Sequence, residues 1–419
     1  MGFAAKWLAE KSLFPRLFEE IPDDDTGIVA VVPAYNEPGI TTLLDSLASC
    51  NPPRCRVEII IIVNLRSDAG KEAILNHRKC IENINIWVKE NPDNFFRLLV
   101  FDTGIPEIPG WGVGLARKTG MDEAVRRFDS IDRPEGVIVC LDADCKVEKN
   151  YFEAIAENLL YNNKNKACSI YFEHLTGESP DSQIARYIIQ YELHLRYYLW
   201  ALKFAGFPDA CHTVGSAIAV KALSYIRAGG MNRRQAGEDF YFIQKLIPAG
   251  GYFTLNSTTV YPSCRESLRV PFGTGAAMSK LMREQNDEYL TYNFDAFTEL
   301  AILFSSAGGL YYSDLQITSE YYQRLPPGLR SFINEEEWLK KINEIKSNTS
   351  GHGSFTKRFF GWFNMFRIVK YLNHVHDGLY EKQPVTLAAL SLLRAAGQNA
   401  ASSAAQDLLN HFRMLDKNS

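Results

Sequence analysis

Apolar residues along this chain first fall into short unbroken runs, separated by segments with helical spacing. The first run, GIVAVVPAYNE from Gly27, is rich in β-branched residues and predicts a strand stopped by Pro33. TTLLDSLASC then predicts a helix. VEIIIIV, residues 57–63, predicts a second strand of the kind buried on both faces of a parallel sheet. The alternation continues with helix at 69–80, strand at 96–101, helix at 115–128, strand at 137–141, helix at 151–160 and strand at 167–172. Strands spaced by amphipathic helices imply right-handed βαβ crossovers. The expected fold class is therefore α/β, a doubly wound, mostly parallel, Rossmann-like sheet. Ligands of such sheets bind beyond the carboxyl ends of the strands, so polar residues just after each strand are site candidates.

The texture changes after Asp181. Residues 184–204 predict one long helix carrying Arg186, Glu192, His194 and Arg196, with an aromatic stripe of Tyr187, Tyr191, Tyr197, Tyr198 and Trp200 expected in the core. Short β runs near 213–220 and 252–261 flank a GEDFYFIQKL helix. From about Ala276 to the end the pattern is helical, with glycine-containing breaks expected at 305–309 and 347–353. At the start, Phe3, Trp7, Leu8, Phe14, Leu17 and Phe18 can share one face of a short helix over residues 1–20, interrupted by Pro15. Such a helix packs on the main domain or makes a peripheral membrane contact. The expected division is an N-terminal helix and linker at 1–26, a sheet domain at 27–275 and a helical C-terminal region at 276–419.

A length of 419 residues fits two to three domains and supports a core without disulfides or structural metal. The formal charge of −4 argues against a general nucleic-acid binder, though not against a local basic site. The 8 cysteines form no C-x-x-C pair and several lie in apolar runs, which reads as reduced thiols of a cytoplasmic protein. No stretch reaches ~18 uncharged apolar residues, so a spanning helix is not expected. His374 and His376 would share a face in a strand, but their segment reads as helix, which separates the rings.

Three strings carry the chemistry. Asp142-Ala143-Asp144 directly follows the strand at 137–141, where two carboxylates can reach one crevice and suit a hard divalent cation that also binds a diphosphate. Pro33-Ala34-Tyr35-Asn36-Glu37 follows the first strand, where a nucleotide base and ribose would lie. Gly237-Glu238-Asp239 opens a helix. Its acidic residues suit the helix dipole, and one of them can serve as a base toward an acceptor hydroxyl.

In this order and spacing, the three strings resemble glycosyltransferase family 2, whose members have the GT-A fold. VVPAYNE is similar to the family's nucleotide-binding opening, LDADCKVEKNYFE to its D-x-D segment and AGEDFYFIQKL to its E-D segment. The resemblance covers about residues 28–261. It implies that Pro33, Ala34, Tyr35 and Glu37 line the base and ribose of a nucleotide-sugar. Asp142 approaches the ribose or the metal, and Asp144 ligates Mn²⁺ or Mg²⁺. Asp239 is the general base, and Glu238 places the acceptor. Gly114-Leu115-Ala116-Arg117-Lys118 resembles the family's basic segment, with Arg117 and Lys118 facing the donor. His212 and Gly215 fall on the acceptor-side wall.

Two features depart from the family pattern. After the second strand, where the family usually has a carboxylate that reads the base, this chain has Val63-Asn64-Leu65-Arg66-Ser67-Asp68, so Asn64 or Asp68 takes that place. The Q-x-x-R-W motif of processive membrane-embedded members is missing. In its place stands a loop with Arg265 and Arg269, expected to close on the diphosphate. The resulting expectation is a soluble, non-processive, metal-dependent inverting transferase. It would move a sugar from a nucleoside-diphosphate-sugar to a glycan, lipid-linked or small-molecule acceptor, in the cytoplasm or at the inner face of the membrane. The alternatives are a retaining GT-A enzyme acting on a small acid or polyol, a nucleotidyltransferase, and a degenerate transferase acting as a binding subunit. A nucleotidyltransferase would usually carry a glycine-rich basic loop where PAYNE stands, and the intact acidic strings argue against degeneracy.

Overall fold

A computed structural model describes residues 2–104, 111–178, 182–233, 237–264, 288–400 and 402–419. The chain divides into two compact units. One comprises Met1–Ala185, Thr213–Ser279 and Asp416–Ser419, and the other Arg186–His212 and Lys280–Leu415. The segment 186–212, expected inside the sheet domain, groups with the helical unit.

The first unit begins with α1 (Ala5–Lys11) and continues through β1 (Thr26–Ala34), α2 (Thr41–Ala48), β2 (Arg56–Val63), α3 (Lys71–Glu90), β3 (Phe96–Asp102), α4 (Val113–Ser130) and β4 (Val137–Cys140). After β5 (Lys146–Val147), α5 (Tyr151–Ile155) and β6 (Ala167–Phe172) comes α6 (Ser182–Phe204), most of which belongs to the second unit. The first unit resumes with β7 (Ile218–Lys221), α7 (Ala222–Arg227), α8 (Glu238–Leu246) and β8 (Tyr252–Tyr261).

These strands form one eight-stranded sheet in the order β3-β2-β1-β4-β7-β6-β8-β5. β1 pairs in parallel with β2 and β4, and β2 with β3. β7 is antiparallel to both β4 and β6, and β6 is parallel to β8. It follows that β1, β2, β3, β4, β6 and β8 all run the same way and end at one edge. The continuous apolar runs make sense in this setting. Every residue of β1 is buried, as is all of β2 after Arg56, because helices cover both faces. The sheet is thus the expected α/β, mostly parallel type, with β7 inserted in reverse.

The order reverses at β1: β2 and β3 follow it on one side, β4 on the other. This is the topological switch point, where the strands' ends leave a crevice. Pro33 fits here for a physical reason. Leu141 N donates to Val31 O and Asn64 N to Ala34 O, so residue 33 faces the β4 side. The β1–β4 ladder ends at Val31 and Cys140, so the missing proline N–H costs no bond.

The N-terminal segment differs from its expectation. Helix covers only Ala5–Lys11, and residues after Ser12 are irregular. Tertiary contacts hold them so: Arg126 donates to Ser12 Oγ and Phe14 O, and Leu17 N donates to Glu123. Trp7 packs edge-on against Tyr225 at 5.6 Å.

In the second unit, α6 is followed by β9 (Leu290–Thr291), α9 (Phe294–Leu310), α10 (Leu315–Gln323), α11 (Pro327–Phe332), α12 (Glu335–Ser347), α13 (His352–Trp362) and α14 (Met365–His376). β10 (Gln383–Pro384) pairs antiparallel with β9, and α15 (Val385–Ala395) and α16 (Ala405–Lys417) complete it. Asn293, Asp314, Asn334 and Asn364 cap four of these helices through side-chain oxygens. The break expected at 305–309 is absent, since α9 runs through it. Gly308 and Gly309 serve close packing instead, with a Cβ at Gly309 meeting the Tyr321 hydroxyl. The break at 347–353 is present. His374 and His376 lie on α14 and bond separately, to Ser331 Oγ at 3.1 Å and Asn293 N at 2.7 Å. Tyr187, Tyr191 and Tyr197 are buried. The buried carboxylate Glu192 meets Arg196 and Arg413, each at 2.7–2.8 Å.

Candidate active site

Strand direction assembles the site. The carboxyl ends of β1, β2, β3, β4 and β6 bring Tyr35, Asn64, Asp102, Asp142 and Glu173 to the same sheet edge. Because β7 runs in reverse, its leading residues Gly215 and Ser216 reach that edge too.

On the β1–β2 side, Tyr35 and Asn36 are half-buried and Glu37 is buried. Asn36 adopts a left-handed φ of 52° and accepts from Asn76 Nδ2 at 2.7 Å. Asn64 is wholly buried, yet neither its amide oxygen nor its amide nitrogen has a partner among the described residues. A buried amide without hydrogen bonds is costly, and such a group at a strand end is suited to a ligand that supplies both an acceptor and a donor. Asp68, the other candidate for this place, is exposed and forms a two-point pair with Arg66, each bond 2.8 Å. At the end of β3, Asp102 pairs with His77 Nε2 at 2.7 Å and accepts from Gly104 N at 2.8 Å.

At the switch point a single guanidinium organises the carboxylates. Arg117, near the start of α4, donates from Nη2 to Asp142 Oδ1 at 2.7 Å and from Nη1 to Glu238 Oε1. The side chains of Arg117 and Glu238 are each 3% exposed, whereas that of Asp142 is 39% exposed. Glu238 and Asp239 open α8 after Gly237, whose left-handed φ of 70° turns the chain into the helix. Their negative charge suits the helix N-terminus. Asp239 Oδ1 accepts from Phe240 N at 2.7 Å. Burial, reinforced by Glu238 and Asp142 and opposed by Arg117, raises the Asp239 carboxyl to about 6. Gly215 closes the wall. A Cβ there would lie 2.8 Å from Arg117 Nη1 and 3.0 Å from Asp239 Oδ2, so the backbone approaches as only glycine allows.

Asp144 lies two residues past Asp142, half-buried, on a turn closed by Cys145 N donating to Asp142 O at 3.1 Å. No group of three or more metal-ligating side chains exists among the described residues. Asp142 and Asp144 still fit a divalent cation that draws its remaining ligands from phosphate and water. Charge points the same way: Asp142, Glu238 and Asp239 surround one guanidinium, which leaves the edge rich in negative charge.

Lys118 does not join Arg117. It pairs with Asp122 Oδ2 at 2.7 Å, lies 5.5 Å from the Trp7 ring, and shares Asp122 with the Tyr225 hydroxyl. Consecutive helical residues point about 100° apart, which separates the two cations. His212 is half-buried and belongs to the second unit. Arg265 and Arg269 lie outside the described residues. The signal that marks Asp142, a polar residue that ends or directly follows a strand, also belongs to Asp102 and Glu173, which reach this edge as well.

Residues 29–216 match the model of glycosyl transferase family 2. Among solved structures, the chain is similar to TarS 1–349 of S. aureus in complex with UDP-GlcNAc, at 14% identity over 81% of this chain and 93% of that one, with a TM-score of 0.40. It is also similar to the mannosyltransferase PcManGT from Pyrobaculum calidifontis in complex with GDP-Man and Mn²⁺, at 14% identity over 94% and 91% of the two chains, TM-score 0.39. A third likeness is to glucosyl-3-phosphoglycerate synthase from Mycobacterium tuberculosis with Mn²⁺, UDP and phosphoglyceric acid, at 14% identity over 61% and 76%, TM-score 0.33. A search of curated proteins finds no match.

Proposed function

We propose that the protein is a metal-dependent, inverting glycosyltransferase using a nucleoside-diphosphate-sugar, a reading supported by the match of residues 29–216 to glycosyl transferase family 2. The observation that carries this reading is the placement of Asp239. It stands at a helix start beside Glu238, which Arg117 links to Asp142, with its carboxyl raised to about 6. A carboxylate in that range is ionised at neutral pH and basic enough to take a proton in the transition state.

In the proposed step, Asp239 accepts the proton of the acceptor hydroxyl as its oxygen bonds to the anomeric carbon. The bond from that carbon to the diphosphate oxygen breaks, and the electron pair leaves with the nucleoside diphosphate. One displacement inverts the anomeric centre. Tyr35 and Glu37 line the donor's base and ribose, and Asn64 offers its unpartnered amide to the base. Asp142 and Asp144 would hold Mn²⁺ or Mg²⁺, which when bound neutralises charge on the diphosphate. Glu238, engaged by Arg117, holds the start of α8 in place. The acceptor is a hydroxyl compound of the glycan, lipid-linked or small-molecule kind. Among the described residues, no helix is long and apolar enough to cross a membrane.

Proton NMR of the product anomer tests the stereochemistry directly. A product of inverted configuration, lost in Asp239→Asn, supports the proposal. Retention, or near-native turnover by Asp239→Asn, overturns it.

A further inference from the structure

We propose that Arg117 is a positioning residue that does not meet the donor diphosphate, and that it ties the donor-side carboxylate Asp142 to the acceptor-side pair Glu238–Asp239. The inference rests on the transferase reading above and adds a role for this residue that the reading does not require.

The basic segment at the start of α4 was expected to face the donor. The geometry points elsewhere. The Arg117 side chain is 3% exposed, and its two terminal nitrogens are engaged by carboxylates from two different elements, Asp142 after β4 and Glu238 on α8. A planar guanidinium can bridge two carboxylates in fixed directions, which a point-charged ammonium cannot. Asp142, by contrast, is 39% exposed, so an incoming donor meets the carboxylate and not the guanidinium. The same guanidinium shares a wall with the base. One Cβ at Gly215 would lie 2.8 Å from Arg117 Nη1, 3.1 Å from Nη2 and 3.0 Å from Asp239 Oδ2. Any shift of Asp142 on donor arrival is therefore transmitted through Arg117 to the start of α8. The arrangement also explains why Lys118, one residue on, is free of this duty and pairs with Asp122 instead.

Two variants separate this role from donor binding and from plain structural support. Arg117→Lys keeps the charge but cannot span both carboxylates. Gly215→Ala keeps the whole ionic cluster and inserts a methyl group against the guanidinium and Asp239. Folding of each is checked by thermal melting, donor-nucleotide affinity by calorimetry with Mn²⁺, and turnover with saturating donor. The expected result for both is a nucleotide affinity within about threefold of wild type, with turnover lower by about 100-fold, the size of loss that a misplaced catalytic group produces. Gly215→Ala decides the matter if Arg117→Lys does not fold. An affinity loss of about tenfold or more with turnover spared would place Arg117 on the donor and overturn the inference. Near-native turnover in the folded variants would reduce the cluster to structural support. A wild-type chain that binds no nucleotide would instead defeat the transferase reading, so the two failures are distinguishable.

Discussion

Arg117 Nη2 lies 2.7 Å from Asp142 Oδ1, which joins the helix after β3 to the turn after β4 across the sheet's switch point. Arg117 also pairs with the buried Glu238, and removing one member of that buried pair leaves the other uncompensated, so this edge of the sheet is held by electrostatics as well as by packing. Around the pair stand the groups whose behaviour the account predicts.

Asp239 is the group whose ionisation turnover should follow. Its folded pKa is raised from 3.8 to about 6, chiefly by burial. Turnover should rise with pH through an apparent value near 6, because the base must be ionised. Stability follows the opposite sign. The contribution of the protonated carboxyl is fully present below pH ~4 and is lost as pH rises through about 6. Asp239→Asn, which mimics the protonated form at every pH, should melt a few degrees higher than wild type at pH 8 and no higher at pH 4. A flat activity profile between pH 5 and 8, or a variant that melts lower at pH 8, would count against this assignment.

Asp144 carries the metal prediction. Asp144→Ala should weaken nucleotide binding in Mn²⁺ by about tenfold or more while leaving binding in EDTA unchanged, as expected when a cation's carboxylate ligand is removed. Equal affinity of wild type and variant in Mn²⁺ would remove Asp144 from the metal site.

Asn64 has a buried amide with neither atom bonded among the described residues. Replacing it by the apolar, similarly sized leucine should remove a desolvation cost of about 1–3 kcal/mol. Asn64→Leu is therefore expected to raise the melting temperature of the ligand-free protein while reducing nucleotide affinity at least about tenfold. A fall in both would show that the amide supports the fold and not the ligand.

The helical unit offers a control that involves none of the site's carboxylates. Glu299 is buried and accepts from Gly328 N, Leu329 N and the hydroxyls of Tyr371 and Tyr380, at 2.7–3.2 Å. Glu299→Ala strands four donors and should cost about 3 kcal/mol or more, read as a shift in the urea midpoint. Glu299→Gln, which keeps an accepting oxygen, should cost less.

The sheet was legible because its strands are buried on both faces, which leaves unbroken apolar runs such as 57–63 that no surface element would carry. Tyr35, Asn64 and Asp142 were legible for a related reason, since polar residues directly after such runs must emerge at the sheet edge. Arg117 and Lys118 were not separable in the sequence. They are adjacent cations, and only the helix's rotation assigns one to Asp142 and the other to Asp122. The N-terminal segment reads as helix because its apolar spacing fits one. Arg126 and Glu123 bind its backbone groups after Ser12, and these long-range partners leave no local signal. The pair of glycines at 308 and 309 read as a helix break by the usual rule, yet they answer to Tyr321 and His352 packed against them.

The most direct test of the central claim is calorimetric titration of the purified protein with UDP, GDP, CDP and dTDP, each in Mn²⁺ and in EDTA. The account predicts that one of these nucleotides binds, that Mn²⁺ strengthens its binding, and that Asp144→Ala abolishes the difference. Failure of all four to bind under either condition would contradict it.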